Sequence, residues 1–479
     1  MRRVPVLRAR SPVAGLRRRT LGPLGVLAQS VATTAPAAAM ASTPLLVAAD
    51  AGSGAPWSFA IAAVLAGLVA VCVAVFARRM AAAGSLYSYT AKGLGPGSAF
   101  ACAVALVVGY GLLVAAALAG AAWYGRALLE RLRPGTDGEV AGIVVIVVLA
   151  AAVGVCAVRG VRLTGRVMLV VEGLSIGLIL VVLVALLVSG PATPSPPPPP
   201  LPSGGLGGIV VGVLPALAAF IGFDSATSLG VEARRPFASV PRAVGITAGV
   251  AAVLYLVATV VQLEVLGVVP GAGGEPPGTA LAGSRDLAWA SAVIDAGIVA
   301  SFSACTLAAL NTLVRVLFSL ARDGVAPSLL GRTHRRYLTP AAAIGIAVPL
   351  LAVPPLVSTA LGVAPETMFS ALVSVSAIGF LVAYGLVSLA APRFLARIGE
   401  LTRGVVVVAA VAVPALVAVG LVAVASSLGS GPMWAVVVGM VVAGIAGWAA
   451  LRWRRPAALA GIGVYDETTA ADVLTGDRR

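Results

Sequence analysis

The chain has little of what a soluble protein turns toward water. Charged residues fill 11% of its 479 positions, aromatic residues 5% and hydrophobic residues 59%. A soluble domain carries about 25% charged residues, so this chain cannot clothe itself in polar surface and is expected to sit in a lipid bilayer. It has one lysine, Lys92, among 33 basic residues, and one histidine, His334. A single histidine leaves zinc or haem ligation by imidazole almost nothing to build on. The four cysteines, Cys72, Cys102, Cys156 and Cys305, lie in apolar runs without paired spacing. They read as small buried hydrophobes, not as disulfides or metal ligands. No histidine stands near a serine or cysteine, and there is no phosphate loop, so the chain is not expected to be an enzyme or to hold a cofactor or metal. The net charge of +15 does not point to nucleic acid, because the arginines punctuate apolar runs.

What is present is length of apolar sequence. A crossing helix needs about 20 mostly apolar residues. Windows of that size give spans at 23–49, 57–79, 98–125, 138–158, 166–190, 206–231, 241–268, 286–320, 339–359, 365–391, 404–427 and 431–452. Of the 33 basic residues, 28 fall in the tails and the loops of one side. Only Arg126, Arg131, Arg133 and Arg285 fall on the other, and Arg315 lies within a span. The positive-inside rule then places both termini in the cytoplasm, and the protein in the cell membrane. The apolar run after Arg19 is too long for a signal peptide and holds Pro36 and Pro44, so it reads as the first helix. The stretch PATPSPPPPPLP, Pro191–Pro202, reads as a stiff outer spacer. The segment Gly84–Gly97 is expected to lie along the cytoplasmic interface with Tyr87 and Tyr89 as anchors.

Two spans have unusual interiors. The first reads AQSVATTAPAAAMAS over Ala28–Ser42, with Thr33, Thr34, Ala35, Pro36 and Ala37 among very small residues. The sixth reads VLPALAAFIGFDSATSLG, with Pro215, Phe220, Ile221, Gly222, Phe223 and Asp224. Five spans separate them, which is the pattern of an inverted five-plus-five repeat whose broken first and sixth helices build a midplane site. Exposed N–H groups at such a break attract a carboxylate, and unwound carbonyls hold a cation or ammonium. Proline kinks and close helix packing explain either feature taken alone.

From Ala300 to Pro340 the chain reads ASFSACTLAALNTLVRVLFSLARDGVAPSLLGRTHRRYLTP. This resembles the eighth helix and following loop of the amino acid–polyamine–organocation superfamily of permeases. Asn311, Arg315, Arg322-Asp323-Gly324, Pro327, His334 and Pro340 stand where that pattern has them. FIGFDSATSLGVEARRPFASVPRAV resembles the superfamily's sixth helix and loop, and GSLYSYTAKGLGP the segment before its third. The tail piece GIGVYDETTAADVL is similar to that of actinobacterial members. The resemblance covers about residues 20–455 and implies an all-α membrane protein of about twelve helices. Its parts would be a basic tail 1–22, a first repeat 23–190, the outer loop 191–205, a second repeat 206–391, two peripheral helices over 392–455 and a tail 456–479. The last two helices lie at the periphery or in a homodimer contact. The implied activity is import of an amino acid or related amine by alternating access, with proton coupling. Exchange of an amino acid for an amine, and a sensor that binds without transport, stay open as alternatives. The chain departs from many members in having Thr33-Thr34-Ala35-Pro36-Ala37 where they carry a glycine-rich break, and Glu172 in the fifth span where some proton-coupled members carry lysine.

Ionisable groups inside a span cost several kcal/mol on insertion, roughly 2.5–3.5 kcal/mol each, and so need reasons. Asp224 directly follows the sixth-helix break, either gating the site and exchanging a proton or capping the second half-helix. Glu172 reads as a gate or coupling residue, or as a structural ion-pair partner of Arg315. Asp295 reads as a solvated residue of the outer vestibule, or as a substrate contact, and Glu232 as a cytoplasmic loop residue. Tyr110 and Tyr384 are candidate gate aromatics, along with Phe223. The resemblance makes Ser301 and Ser303 candidate ion-site hydroxyls; both, with Thr306, also read as ordinary packing residues.

Overall fold

The computed structural model describes residues 15–188, 205–266, 288–427 and 433–463. The Pro191–Pro202 spacer, Arg285, the first fourteen residues and the tail beyond Gly463 lie outside the described residues. Among the described residues the regular elements are helical, apart from one isolated parallel bridge between Leu21 and Ala233. The first crossing is made by α1 (Pro23–Thr34) and α2 (Pro36–Ala51), and the second by α3 (Ala55–Ala77). A short α4 (Leu86–Leu94) precedes α5 (Pro96–Leu132), α6 (Gly138–Arg159) and α7 (Val161–Val188). The sixth crossing begins as α8 (Gly205–Ala219) and ends as a tight 3-10 segment, Phe223–Leu229. Then come α9 (Pro236–Leu266), α10 (Ala288–Arg322), α11 (Ala341–Ala360) and α12 (Pro365–Ile398). The series closes with α13 (Arg403–Ser427), α14 (Met433–Arg454) and a short α15 (Pro456–Gly461). Among the described residues ten stretches are long and apolar enough to cross a bilayer, and the first of them, Pro23–Ala77, contains both opening crossings.

Local chemistry explains the boundaries. Proline opens α1, α2, α3, α5 and α12, where its missing N–H and fixed φ suit the first helical turn. Asp137 caps α6 by accepting from Glu139 N and Val140 N. The first and second crossings reverse at Gly52, whose φ is +57°.

Packing at the centre depends on glycine. A Cβ on Gly379 of α12 would fall 2.7 Å from Ala105 O of α5, and one on Gly109 would fall 2.9 Å from the Phe380 ring. Ser376 adds a hydrogen bond from its hydroxyl to Gly109 O at 2.7 Å. Helices that share no hydrophobic driving force in lipid associate through such close approach. The last two crossings stay outside this centre: α13 packs on α3, α8 and α12, and α14 on α5 and α12. Both present exposed apolar side chains such as Val411, Leu421, Val442 and Ile445.

One end of the bundle is rich in arginine, and several expectations change there. Arg315 does not reach Glu172. Its Nε and Nη2 each lie 2.7 Å from Glu232 Oε1, and Nη1 donates to Asn311 O. Glu232 is therefore a buried partner, not a solvated loop residue, because an arginine inside a span needs a neighbouring acid. The N-terminal segment pairs here too, with Arg19 N donating to Val231 O and Thr20 N and Leu21 N to Glu232 O. Tyr87 and Tyr89 are not interfacial anchors; both are buried. The Tyr87 hydroxyl donates to Asp323, and the Tyr89 ring stacks on Phe76 at 5.2 Å. Gly463 N donates to the same Asp323 oxygen at 2.8 Å, and Arg455 reaches Gly324 O. The segment after α15 thus straps the loop below α10 to α4. At the opposite end Asp295 is fully buried and pairs with Arg131 at 3.4 Å, in place of the solvated position expected of it.

Candidate functional site

The first break falls where the sequence suggests. Ala35 adopts φ +45° and ψ +58°, between the C-terminus of α1 and Pro36 at the start of α2. A left-handed conformation costs a non-glycine residue about 1–2 kcal/mol, so the surrounding contacts must hold it. Thr33 and Thr34 return their hydroxyls to their own helix, to Gln29 O and Ser30 O at 2.7 and 2.9 Å. The N–H groups of α2 were expected to stand open to a substrate carboxylate. They are instead answered by the protein: Ala37 N donates to Glu172 Oε1 at 3.0 Å, and Ala38 N to Ser301 Oγ at 3.2 Å. Ser301 in turn donates to the same Glu172 oxygen at 3.0 Å. Glu172 is fully buried, and its second oxygen has no hydrogen-bond partner.

The second break is made by Gly222, at φ +107°. A side chain there would meet Thr33, with its Cβ 2.6 Å from Thr33 Cγ2 and 2.7 Å from Thr33 C. The two breaks therefore touch, and glycine is needed both for the backbone and for the contact. Ser30 Oγ donates to Phe223 O at 2.6 Å and Ser225 Oγ to Gln29 O at 3.2 Å, tying α1 to the 3-10 segment. Asp224 then projects between α5 and α12. Tyr110 donates to one carboxylate oxygen at 2.7 Å and Tyr384 to the other at 2.9 Å. The Phe223 ring lies 5.3 Å from that of Tyr384. Asp224, Tyr110 and Tyr384 are all fully buried.

Beside the breaks lies a cavity of about 80 Å³. Thr33, Thr34, Ala35 and Ile221 from the two breaks line it, with Ala116 and Ala117 of α5, Phe302 and Cys305 of α10, and Phe369 of α12. Pro36, Ala37, Phe220, Gly222 and Phe223 are buried and do not line it. Phe220 packs edge-on against Tyr255 at 5.1 Å. Ser303 does not join Ser301: its hydroxyl returns to Val299 O at 2.6 Å, as that of Thr306 does to Phe302 O. A serine hydroxyl in a membrane helix has its own preceding turn as the nearest acceptor. A larger hollow of about 490 Å³ between α5, α12 and α14 is lined almost wholly by apolar side chains. None of the break residues lines it, so the smaller cavity, which residues of both breaks line, is the candidate site.

Two residues at the site escaped the sequence reading. The hydroxyl of Tyr255 in α9 lies 3.0 Å from Ala219 O and 3.4 Å from Thr34 O, at the C-terminal ends of α8 and α1. Its signal was a lone phenol in the middle of an apolar span. Gln29 Nε2 donates to Ala308 O at 2.6 Å and Thr312 Oγ1 at 3.2 Å, fastening α1 to α10. Its signal was an amide in an apolar run. Among the described residues no group of histidine, cysteine and carboxylate side chains is placed to hold a metal.

The sequence model of a family described as Amino acid permease matches residues 24–443. The branched-chain amino acid permease BcaP of Bacillus subtilis is 28% identical over 305 residues, covering 61% of this chain and 65% of the relative. The vacuolar cationic amino acid transporter 2 of Arabidopsis thaliana is 28% identical over 304 residues, covering 59% of this chain and 46% of the relative. The chain thus spans about half to two thirds of the length of these curated relatives. Among solved structures, a manganese transporter of Eremococcus coleocola superposes with a TM-score of 0.56 at 16% identity, covering 90% of this chain and 95% of that one. That likeness is one of fold.

Proposed function

The chain is a multi-pass membrane protein of the amino acid permease family, and from that premise we propose that it imports an amino acid or related amine by alternating access. The observation that carries this reading is the contact of Gly222 with Thr33, which joins two broken helices beside one small cavity. Irregular backbone at membrane depth is tolerated where it lines a cavity. The C-terminal carbonyls of α1 and α8 converge at Tyr255. These are negative helix ends and suit a substrate ammonium. The protein lies in the cytoplasmic membrane with both termini inside, and residues 23–190 and 206–391 form the two inverted repeats.

Transport is coupled to protons through Asp224, with Glu172 as a second coupling group. Both oxygens of Asp224 accept from tyrosines, so the observed carboxylate acts only as an acceptor. A proton added to it turns one oxygen into a donor, so one tyrosine must turn from donor to acceptor or give up its bond. Protonation would therefore loosen the sixth-helix segment from α5 or α12, which is the kind of two-state element that alternating access requires.

Uptake into proteoliposomes tests this. Labelled amino acids and polyamines are offered with and without an inward proton gradient, and with internal substrate. Accumulation driven by the gradient supports symport. Uptake only into preloaded vesicles makes the protein an exchanger, and saturable binding without flux makes it a sensor. Asp224→Asn is expected to lose gradient-driven accumulation; full retention would refute the proton role. The last two crossings present apolar faces that suit a homodimer, and crosslinking in native membranes is the check.

A further inference from the structure

The cavity beside the breaks has a wall without charge. Its carboxylate neighbours face elsewhere: Asp224 toward Tyr110 and Tyr384, Glu172 toward Ala37 and Ser301. Four of its hydroxyls donate to backbone carbonyls, Thr33 to Gln29 O, Thr34 to Ser30 O, Ser42 to Ala38 O and Ser376 to Gly109 O. What faces the space is mostly methyl, methylene and ring carbon, with Thr43 as a further neutral polar residue in the lining. An ammonium or guanidinium side chain placed there would lose its water and gain no counter-ion, at a cost of several kcal/mol. An aliphatic side chain has no charge to desolvate and gains by burial.

The width of the space is set by a ring and the glycine behind it. Phe302 of α10 lines the cavity. Its ring leans back onto Gly120 of α5, so closely that a Cβ on Gly120 would lie 2.7 Å from Cζ and 2.8 Å from Cε2. Aromatic neighbours flank the ring, with Phe369 edge-on at 5.5 Å and Tyr124 at 6.2 Å. A methyl group at position 120 would therefore drive the ring forward, into the cavity.

We propose that this cavity is the side-chain subsite for small neutral aliphatic amino acids, and that Gly120 sets its width by giving Phe302 room to sit back. The proposal rests on the transporter reading and adds to it the class of side chain and a residue that determines specificity without touching substrate. A methylene accommodated or refused in an apolar pocket changes discrimination by about 10–200-fold.

The test is proteoliposome uptake of labelled alanine, valine, leucine, lysine and arginine by the unaltered protein and by Gly120→Ala, with kcat/KM compared as ratios. The unaltered protein is expected to take up the aliphatic set at least about tenfold better than lysine or arginine. In Gly120→Ala the leucine-to-alanine ratio is expected to fall about tenfold or more. Phe302→Leu, which removes the ring, is expected to raise that ratio, and it supplies the answer if Gly120→Ala does not fold. Comparable uptake of lysine or arginine overturns the neutral class while leaving a transporter. An equal loss for all substrates in Gly120→Ala, with an unchanged ratio in Phe302→Leu, overturns the role of Gly120. Absence of flux for every amino acid removes the transporter reading and this proposal together.

Discussion

The two helix breaks meet at Thr33 and Gly222, yet they are built with opposite polarity. The first presents donors, the N–H groups of Ala37 and Ala38, and borrows an acceptor from other helices, Glu172 with Ser301. The second presents an acid, Asp224, and borrows donors, Tyr110 and Tyr384. Their backbones differ in the same way. Ala35 is held in a left-handed conformation against its preference, whereas Gly222 adopts one freely. An interrupted helix inside a membrane must find partners for what it leaves open, and here each break takes them from helices outside its own crossing. Neither break is a property of its own span alone.

This contrast can be broken experimentally, and the largest effect belongs to the second break. Gly222→Ala places a Cβ in a left-handed backbone, 2.6 Å from Thr33 Cγ2. The combined conformational and steric cost is about 3 kcal/mol or more. Little monodisperse protein is expected on size-exclusion chromatography in detergent, and an unchanged elution profile and melting temperature would refute the contact between breaks. Next in size is the removal of a borrowed acceptor. Glu172→Ala strands the Ala37 N–H in a dry setting and costs about 1–3 kcal/mol, measured as a fall in melting temperature. Glu172→Gln keeps an acceptor oxygen for Ala37 and is expected to recover most of that loss; equal destabilisation by both variants would show that charge, not capping, holds the first break. The smallest effect is a gain. Ala35→Gly relieves the left-handed strain but adds chain entropy to the unfolded state, for a net stabilisation of about 0.5–1 kcal/mol. A drop in melting temperature would mean that the alanine methyl contributes packing that outweighs its strain.

The crossings were legible because apolar length and the arginine bias are properties of contiguous sequence. So were the break points, since Pro36 and Gly222 act on their own backbones. Asp224, Tyr110 and Tyr384 could be nominated one at a time as costly residues in apolar spans, and the fold brings all three together. Pairings over long separations were not legible. Glu172 has an arginine within geometric reach of any sketch of the bundle, but its partners are a backbone amide 135 positions away and a serine 129 away. Ser303 and Ser301 look alike in sequence, and only helix rotation tells which faces the break. For Glu232 and Asp295 a loop or an outer vestibule position reads as wet from sequence, while both acids are buried against arginines. Tyr255 was passed over because a phenol in a lipid span reads as packing until the carbonyls it meets are known.

The strap at the arginine-rich end carries a consequence for biosynthesis. Asp323 receives its bond from Gly463 only after α11, α12, α13 and α14 have been made. Until then the Tyr87 hydroxyl can donate to that carboxylate and the Gly463 N–H cannot. The junction of α4 with the loop below α10 is therefore completed late in translation, after the helices up to α14 have been made. A nascent chain halted before residue 463 would have its helices inserted and this end still untied. Membrane quality control that senses loose loops would thus have a physical signature by which to tell an unfinished copy from a finished one.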